Sequence, residues 1–408
     1  MIMINARINR LRYPVLMALI LFSIAAVISL CGAAEAGGQN SITDDAGIET
    51  TEHTIDLNYK TGKFGLTVSC RDIDQGSFQK EPEFDNHNII RGLLPIGANQ
   101  KEHIGFAWDT DERKLYLDLN RNRDLTDDPN GIFESITSGR FQHFRGINLS
   151  VQSAAIKLPY AMNMDMYSSG QSYHSCSALI VSGFTGKMTL YGRKWDVTVI
   201  DNMNGRIGPG DHFYFTPQDI DGPANWSQYQ LNVPKSIFFD SRNYDVSFKF
   251  LPGKTEPKLQ LTLAESEKPM GRLDIDGENI ARVVLESDSS TVLLYYPEKS
   301  ISIPAGDYLC HSIFLYGEKA GMFMYDSRRT GSSTLSVPCD KSVTFTAGGP
   351  LDNNVEVARE GNTLNLRYKL LDSGRREYQR LQDNREKPPA FTVYRGNKKI
   401  ASDTFEYG

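Results

Sequence analysis

His103-Ile104-Gly105-Phe106-Ala107-Trp108 and Lys114-Leu115-Tyr116-Leu117-Asp118-Leu119, joined through Asp109-Thr110-Asp111-Glu112, decide the fold class. Ile104, Phe106 and Trp108 stand two residues apart, as do Leu115, Leu117 and Leu119. Successive strand side chains point to opposite faces, so each set shares one face of an extended chain. A helix would repeat its apolar residues every three or four positions instead. The acids between the two runs are turn formers, because their side chains bond nearby backbone N–H groups. The stretch reads as a β-hairpin.

The same pattern extends in both directions. Ser177 to Phe184 turns through Thr185-Gly186 into Lys187 to Tyr191, and Arg193 to Ile200 follows as another strand. Gly271 to Ile275, the Asp276-Gly277 turn and Ile280 to Leu285 form a hairpin of the kind that Asp-Gly favours. Val292 to Tyr296 is a continuous apolar run, which fits a strand buried on both faces. Leu364 to Leu371, Phe391 to Tyr394 and Lys398 to Tyr407 complete the series, and residues 375–385 read as strand rather than helix. The Pro252-Gly253 turn and the Lys254 to Lys268 stretch mark a boundary near 265. The expected architecture is therefore mainly β, with a β-rich domain over 51–265 and a β-sandwich over 266–408.

Before residue 51 the grammar differs. Arg7, Arg10 and Arg12 precede an apolar run from Val15 to Leu30, and Ala34-Glu35-Ala36 supplies small residues at alternate positions. This is the layout of a secretory signal peptide over 1–36, cleaved after Ala36, with a polar linker over 37–50. Ile28-Ser29-Leu30-Cys31 is a second reading, a lipobox with an acylated Cys31, from which Leu30 departs. An uncleaved anchor is a third. Each places the rest of the chain outside the cytoplasm, in the envelope or beyond it. The 408 residues carry 44 basic and 50 acidic side chains, a formal charge of −6, which argues against a nucleic-acid groove. Cys70, Cys176, Cys310 and Cys339 remain after cleavage and permit three full connectivities. Cys310 with Cys339 is the pairing expected first, and Cys70 with Cys176 second.

Asp118-Leu119-Asn120-Arg121-Asn122-Arg123-Asp124-Leu125-Thr126-Asp127-Asp128 is the segment that carries chemistry. Side-chain oxygens fall on alternate residues 118, 120 and 122, with Asp124 and Asp128 following and apolar Leu125 at the eighth position. Calcium takes six to eight oxygens at about 2.3–2.6 Å, so a tight coil must turn alternate side chains inward. The segment is similar to EF-hand and dockerin-type calcium loops. That resemblance implies calcium held by Asp118, Asn120, Asn122, Asp124 and Asp128. It departs from the pattern at Arg123, where glycine is wanted, and at Pro129, where an acid is wanted. Asp127, Asp128 or Glu134 would then supply the closing carboxylate. Without metal, the same residues form a polar turn. Asp201 to Asp211 offers a weaker copy: with Gly205 at the sixth position, the first falls on Ile200, which cannot ligate, and Asp201 sits one step off, so the segment reads as a turn. Both segments follow a strand that ends in Asp, as in a diverged repeat. Asp72-Ile73-Asp74, Asp219-Ile220-Asp221-Gly222 and Asp274-Ile275-Asp276-Gly277 read as strand ends and turns.

Ile303-Pro304-Ala305-Gly306-Asp307-Tyr308 resembles a strand motif of transthyretin-like and immunoglobulin-like sandwich modules in exported bacterial proteins. The resemblance implies the architecture of the C-terminal part and carries no activity.

The catalytic signatures are missing. The seven histidines form no HExxH or HxH, and the chain has no G-x-S-x-G elbow and no P-loop. In His174-Ser175-Cys176 neighbouring side chains point to opposite faces, so the triplet is no dyad. Trp108, Trp195 and Trp226 offer a sugar-stacking platform, but Trp108 alternates with Ile104 and Phe106 and reads as core. Asn148-Leu149-Ser150 and Asn225-Trp226-Ser227 are glycosylation sequons, relevant only in a eukaryotic secretory route. The function expected is binding or structure at an envelope or extracellular ligand, glycan or protein, with a structural calcium. The alternatives are an extracytoplasmic glycan hydrolase and a subunit that assembles through sheet edges.

Overall fold

The computed structural model describes residues 51–408 except 73–77, 86, 98–101, 154–155, 171–172, 220–230, 318–320, 332, 362, 382–388 and 406–408. The signal segment, Cys31, the linker, Asp74, Asp221 and Trp226 lie outside the described residues. The protein is mainly β. Among the described residues, helix is confined to Ser327–Thr330 and a 3-10 turn at Pro129–Gly131.

One long ribbon of strands organises the chain. Glu52–Ser69 lies between Lys258–Glu265 and His174–Leu190, antiparallel to both. On one side the order continues through Arg242–Leu251 to Ser236–Phe239. On the other, His174–Leu190 pairs with Ile156–Ser168, then with Arg193–Ile200, which leads to His212–Pro217. Alternate residues supply the buried face: Leu57 stands opposite Leu259, with Leu261 and Leu263 in step, all fully buried.

A second sheet runs Arg71–Asp72, Ile89–Ile96, Glu102–Asp109, Lys114–Leu117 and Ile132–Glu134. It contains the hairpin expected from the sequence, with Ile104, Phe106, Trp108, Leu115 and Leu117 all buried in the core shared with the ribbon. Each large side chain so buried contributes roughly 1.5–3 kcal/mol. Trp108 is core, as expected, and its indole N–H donates to Gln142 at 2.8 Å.

Apolar cores and backbone pairing divide the chain differently. One core draws on residues from Leu57 to Leu263, and a second is built from Leu273 to Tyr378. Yet Val284 and Leu293 belong to the first core, and Phe238 to the second. Ser236–Phe239 pairs in parallel with Ser290–Tyr295, so hydrogen bonding runs across residue 265. Val292 and Leu294 face one core while Leu293 faces the other, which is the two-sided burial that the apolar run foretold. Ser290–Tyr295 continues into Ile280–Glu286 and Gly306–Gly317, and a smaller sheet of Ser300–Pro304, Met270–Asp276 and Ser342–Thr346 covers the second core. Glu377–Arg380 is strand, in line with the sequence reading.

Three expectations are corrected. Thr185-Gly186 is no turn, because His174–Leu190 is a single strand and the chain reverses at Tyr191-Gly192, both at positive φ. Gly186 is needed for close approach instead, since a Cβ there would sit 2.6 Å from Leu57 Cδ2. Asp276-Gly277 does not join a hairpin: Met270–Asp276 and Ile280–Glu286 belong to different sheets. A Cβ on Gly277 would lie 1.4 Å from the Ala347 carbonyl oxygen, so the glycine lets two backbones touch where the chain changes layer. Finally, Cys310 and Cys339 form no bridge, and neither do Cys70 and Cys176. Cys310 stands opposite Ser333, while Cys339 lies beyond the Gly306–Val337 pair, six residues along the ladder. That is about 20 Å at strand rise, against the ~7 Å limit of a disulfide.

Candidate functional site

The Asp118 segment leaves the Lys114–Leu117 strand and is held by its own side chains. Asp118, 3% exposed, accepts the N–H of Asn122 at 3.1 Å on one oxygen and that of Arg123 at 3.0 Å on the other. Beyond it, every second side chain accepts the N–H two residues on. Asn122 N donates to Asn120 Oδ1 at 2.9 Å, Asp124 N to Asn122 Oδ1 at 2.7 Å, and Thr126 N to Asp124 Oδ1 at 2.8 Å. Three successive turns of this kind wind residues 120–126 into a coil. Arg121 and Arg123 take φ of 64° and 68° within it, so Arg123 adopts the conformation for which glycine would be the easier residue.

The coil is closed at its far end by Asp128, which accepts the Leu119 N–H at 3.0 Å. Burial, reinforced by the charges of Asp118 and Asp127, pushes the Asp128 carboxyl above the ordinary range. Asp127 is exposed and accepts the Asn120 and Asn122 amides at 2.9 and 2.6 Å. Leu125 is buried at 2% exposure, and its N–H reaches the Lys80 carbonyl at 3.0 Å, so the expected apolar anchor is in place. Lys80 lies 3.8 Å from Asp124. Glu134 sits in the Ile132–Glu134 strand opposite Lys114 and takes no part in closing the coil.

The donor set suits a hard cation. Each Asp118 oxygen holds one N–H and keeps a second lone pair, and amide oxygens behave alike. Among the described residues no three His, Cys, Asp or Glu side chains converge as a metal site. A cation in this coil would therefore draw on the amides of Asn120 and Asn122, on main-chain carbonyls and on water beside its carboxylates, a mixed oxygen set of the kind calcium accepts.

The second segment has the same closure and a drier interior. Asp201 follows the last residue of Arg193–Ile200, and Asp211, ten residues on, accepts the Asn202 N–H at 2.9 Å. Asp201 and not Ile200 is thus the equivalent of Asp118, a correction to the sequence register. The equal ten-residue spacing of the two Asp pairs was the signal available for it. Met203 and Gly205 take the positive φ values, one residue nearer the first Asp than Arg121 and Arg123. Asp201 accepts Tyr160 Oη–H at 2.8 Å and Asn204 N–H at 2.9 Å, and Asp211 also accepts Gly208 N–H at 2.8 Å. Both carboxyls are buried, at 2% and 0% exposure. Burial raises Asp201 to about 6, and burial plus the Asp201 charge raises Asp211 to about 8. At neutral pH this pair retains a proton.

Other candidates are not brought together. Asp274 lies mid-strand, hydrogen-bonded to the Ser300 hydroxyl, and Asp276 is exposed at the strand end. Ser175 is exposed between half-buried His174 and Cys176, which leaves the triplet split across two faces. His87, His143 and His311 each meet one carboxylate, at Asp109, Asp165 and Glu286, in separate parts of the fold. Among the described residues no helix is long and apolar enough to cross a membrane. Comparison of the chain with family models, curated proteins and solved structures finds no match.

Proposed function

We propose that this is an exported, non-catalytic binding or structural protein of the cell envelope or extracellular space, with calcium as a structural ion in the Asp118 coil. The observation that carries the reading is the run of side-chain oxygens at 118, 120, 122 and 124, each folded back onto the coil by backbone N–H groups, with Asp128 closing it. Four carboxylates within eleven residues repel one another, and a divalent ion offsets that repulsion. In this reading Asp118, Asn120, Asn122, Asp124 and Asp128 hold the ion. Residues 266–408 act as an immunoglobulin-like or transthyretin-like sandwich, supported by Leu273, Ile303 and Phe345 of one sheet packing with Val283, Leu285 and Val292 of the other. Export rests on the basic, apolar and small-residue layout of residues 7–36.

The test has two arms. Intact mass of the chain secreted by a bacterial host is expected to give an N-terminus at Gly37, and a diacylated Cys31 would replace that reading. Melting the mature protein in millimolar calcium and in chelator is expected to show a saturable rise with calcium, and coincident melts would reduce the coil to a polar turn.

One observation favours the glycan-hydrolase alternative. A cleft of 790 Å³ is lined by Glu286, Asp288 and Asp307 together with serine hydroxyls. Glu286 there accepts Asn232 Nδ2–H at 2.9 Å and lies 3.2 Å from His311. Hydrolysis of a polysaccharide panel that is lost on Glu286→Gln would establish it.

A further inference from the structure

The ribbon that joins the two cores carries a buried positive charge. Arg282 lies in Ile280–Glu286, opposite Tyr295 on one neighbouring strand and Phe314 on the other, and only 2% of it is exposed. Cross-strand partners share a face, so the guanidinium is flanked by the two rings, 5.6 Å from the Tyr295 centroid and 5.5 Å from that of Phe314. Aromatic faces attract a cation through their quadrupoles. They do not satisfy its N–H groups, which lie in the guanidinium plane and need acceptors.

For one of those groups, Nε, no acceptor is supplied among the described residues. Arg282 Nε is buried and without a hydrogen-bond partner. Tyr295, the one polar ring beside it, donates its hydroxyl away to the Phe215 carbonyl at 3.1 Å. Asp240, the acid felt at Tyr295, is itself engaged by Arg193 at 2.6 Å. A buried carboxyl such as Asp211 escapes its desolvation cost by keeping a proton. Arginine has no such exit, because it stays protonated at any ordinary pH. A buried charge with no ion pair among the described residues and an unfilled hydrogen bond at Nε is costly enough to call for a partner.

We propose that Arg282 anchors a site for a small oxyanion, a carboxylate or a phosphate, bound by the in-plane N–H groups between the Tyr295 and Phe314 rings. The forked guanidinium matches two oxygens of such a group at once, and the ring walls exclude the water that would otherwise compete.

The experiment uses the mature chain, titrated with sodium phosphate and separately with sodium acetate against chloride at constant ionic strength. Calorimetry and thermal melting are read together. Wild type is expected to show saturable heat and a rising melting temperature with one of the two anions, and the arm that responds names the source. Arg282→Met, of similar length and no charge, is expected to lose the response and to melt above wild type in chloride. Arg282→Lys, a point charge without the fork, is expected to bind about tenfold or more weakly. If Arg282→Met does not fold, the wild-type and lysine titrations decide. Absence of a saturable wild-type response to both anions, or an equal response in the methionine or lysine variant, overturns the site and leaves a purely structural cation between two rings.

Discussion

Replacing Asp118 by alanine separates two roles that one carboxylate can play. In the structure Asp118 is nearly buried and its two oxygens accept the N–H groups of Asn122 and Arg123 at 3.1 and 3.0 Å. A hydrogen bond to a charged group contributes about 1.5–3 kcal/mol. Both donor residues are exposed, so water partly replaces the lost acceptors. The net cost is then roughly 2–3 kcal/mol for the pair. At about 2–4 °C per kcal/mol for a unit of this size, the melting temperature falls by roughly 5–10 °C, and it does so in chelator. Calcium adds a second effect: at a tenfold excess over Kd it stabilises wild type by about 1.4 kcal/mol and the variant by nothing. The assay is thermal melting of both proteins with calcium and with chelator. A variant that melts within about 1 °C of wild type in chelator would refute the hydrogen-bond argument. A variant that gains as much as wild type from calcium would place any calcium site elsewhere.

Two further outcomes follow from buried groups. Because Asp201 and Asp211 are raised to about 6 and about 8, the folded state holds protons that the unfolded state, with Asp near 3.9, releases. Their contribution to stability is present below about pH 4 and is lost as pH rises through 6 to 8, at roughly 1.4 kcal/mol per pH unit for each extra proton held. Denaturant unfolding from pH 5 to 8 is expected to show a shallower decline for Asp211→Asn than for wild type, and identical slopes would contradict it. Gly277→Ala sets a Cβ 1.4 Å from the Ala347 carbonyl and is expected to cost about 3 kcal/mol. Gly62→Ala, whose nearest neighbour is Phe64 at 3.8 Å, serves as the control, expected within about 0.5 kcal/mol of wild type. Equal losses would mean that the layer change tolerates a side chain.

Alternation settled a great deal locally. Ile104, Phe106 and Trp108 are buried together because a strand repeats every two residues wherever it lies, and Val292 to Leu294 is buried on both faces because it has no polar side to expose. The Asp118 coil was legible for the same reason: hydrogen bonds between a side chain and the N–H two residues on are short-range, so spacing alone announces them. What required the tertiary structure were the contacts between distant segments. Gly186 and Gly277 look like turn residues, but each is small because another element, Leu57 or the Ala347 backbone, presses against it. Asp201 becomes a proton-holding group through burial that no local pattern encodes, and the hydrogen bond from Tyr160, forty-one residues earlier, only partly offsets it by favouring the ionised form. Arg282, within the Ile280–Glu286 strand, becomes a buried cation between two rings when Tyr295 and Phe314 arrive on either side. Backbone geometry is written within a few residues, whereas burial and the charge balance that follows from it depend on which strands pair. Pairing is chosen by the whole chain at once, since each strand face must find an apolar partner.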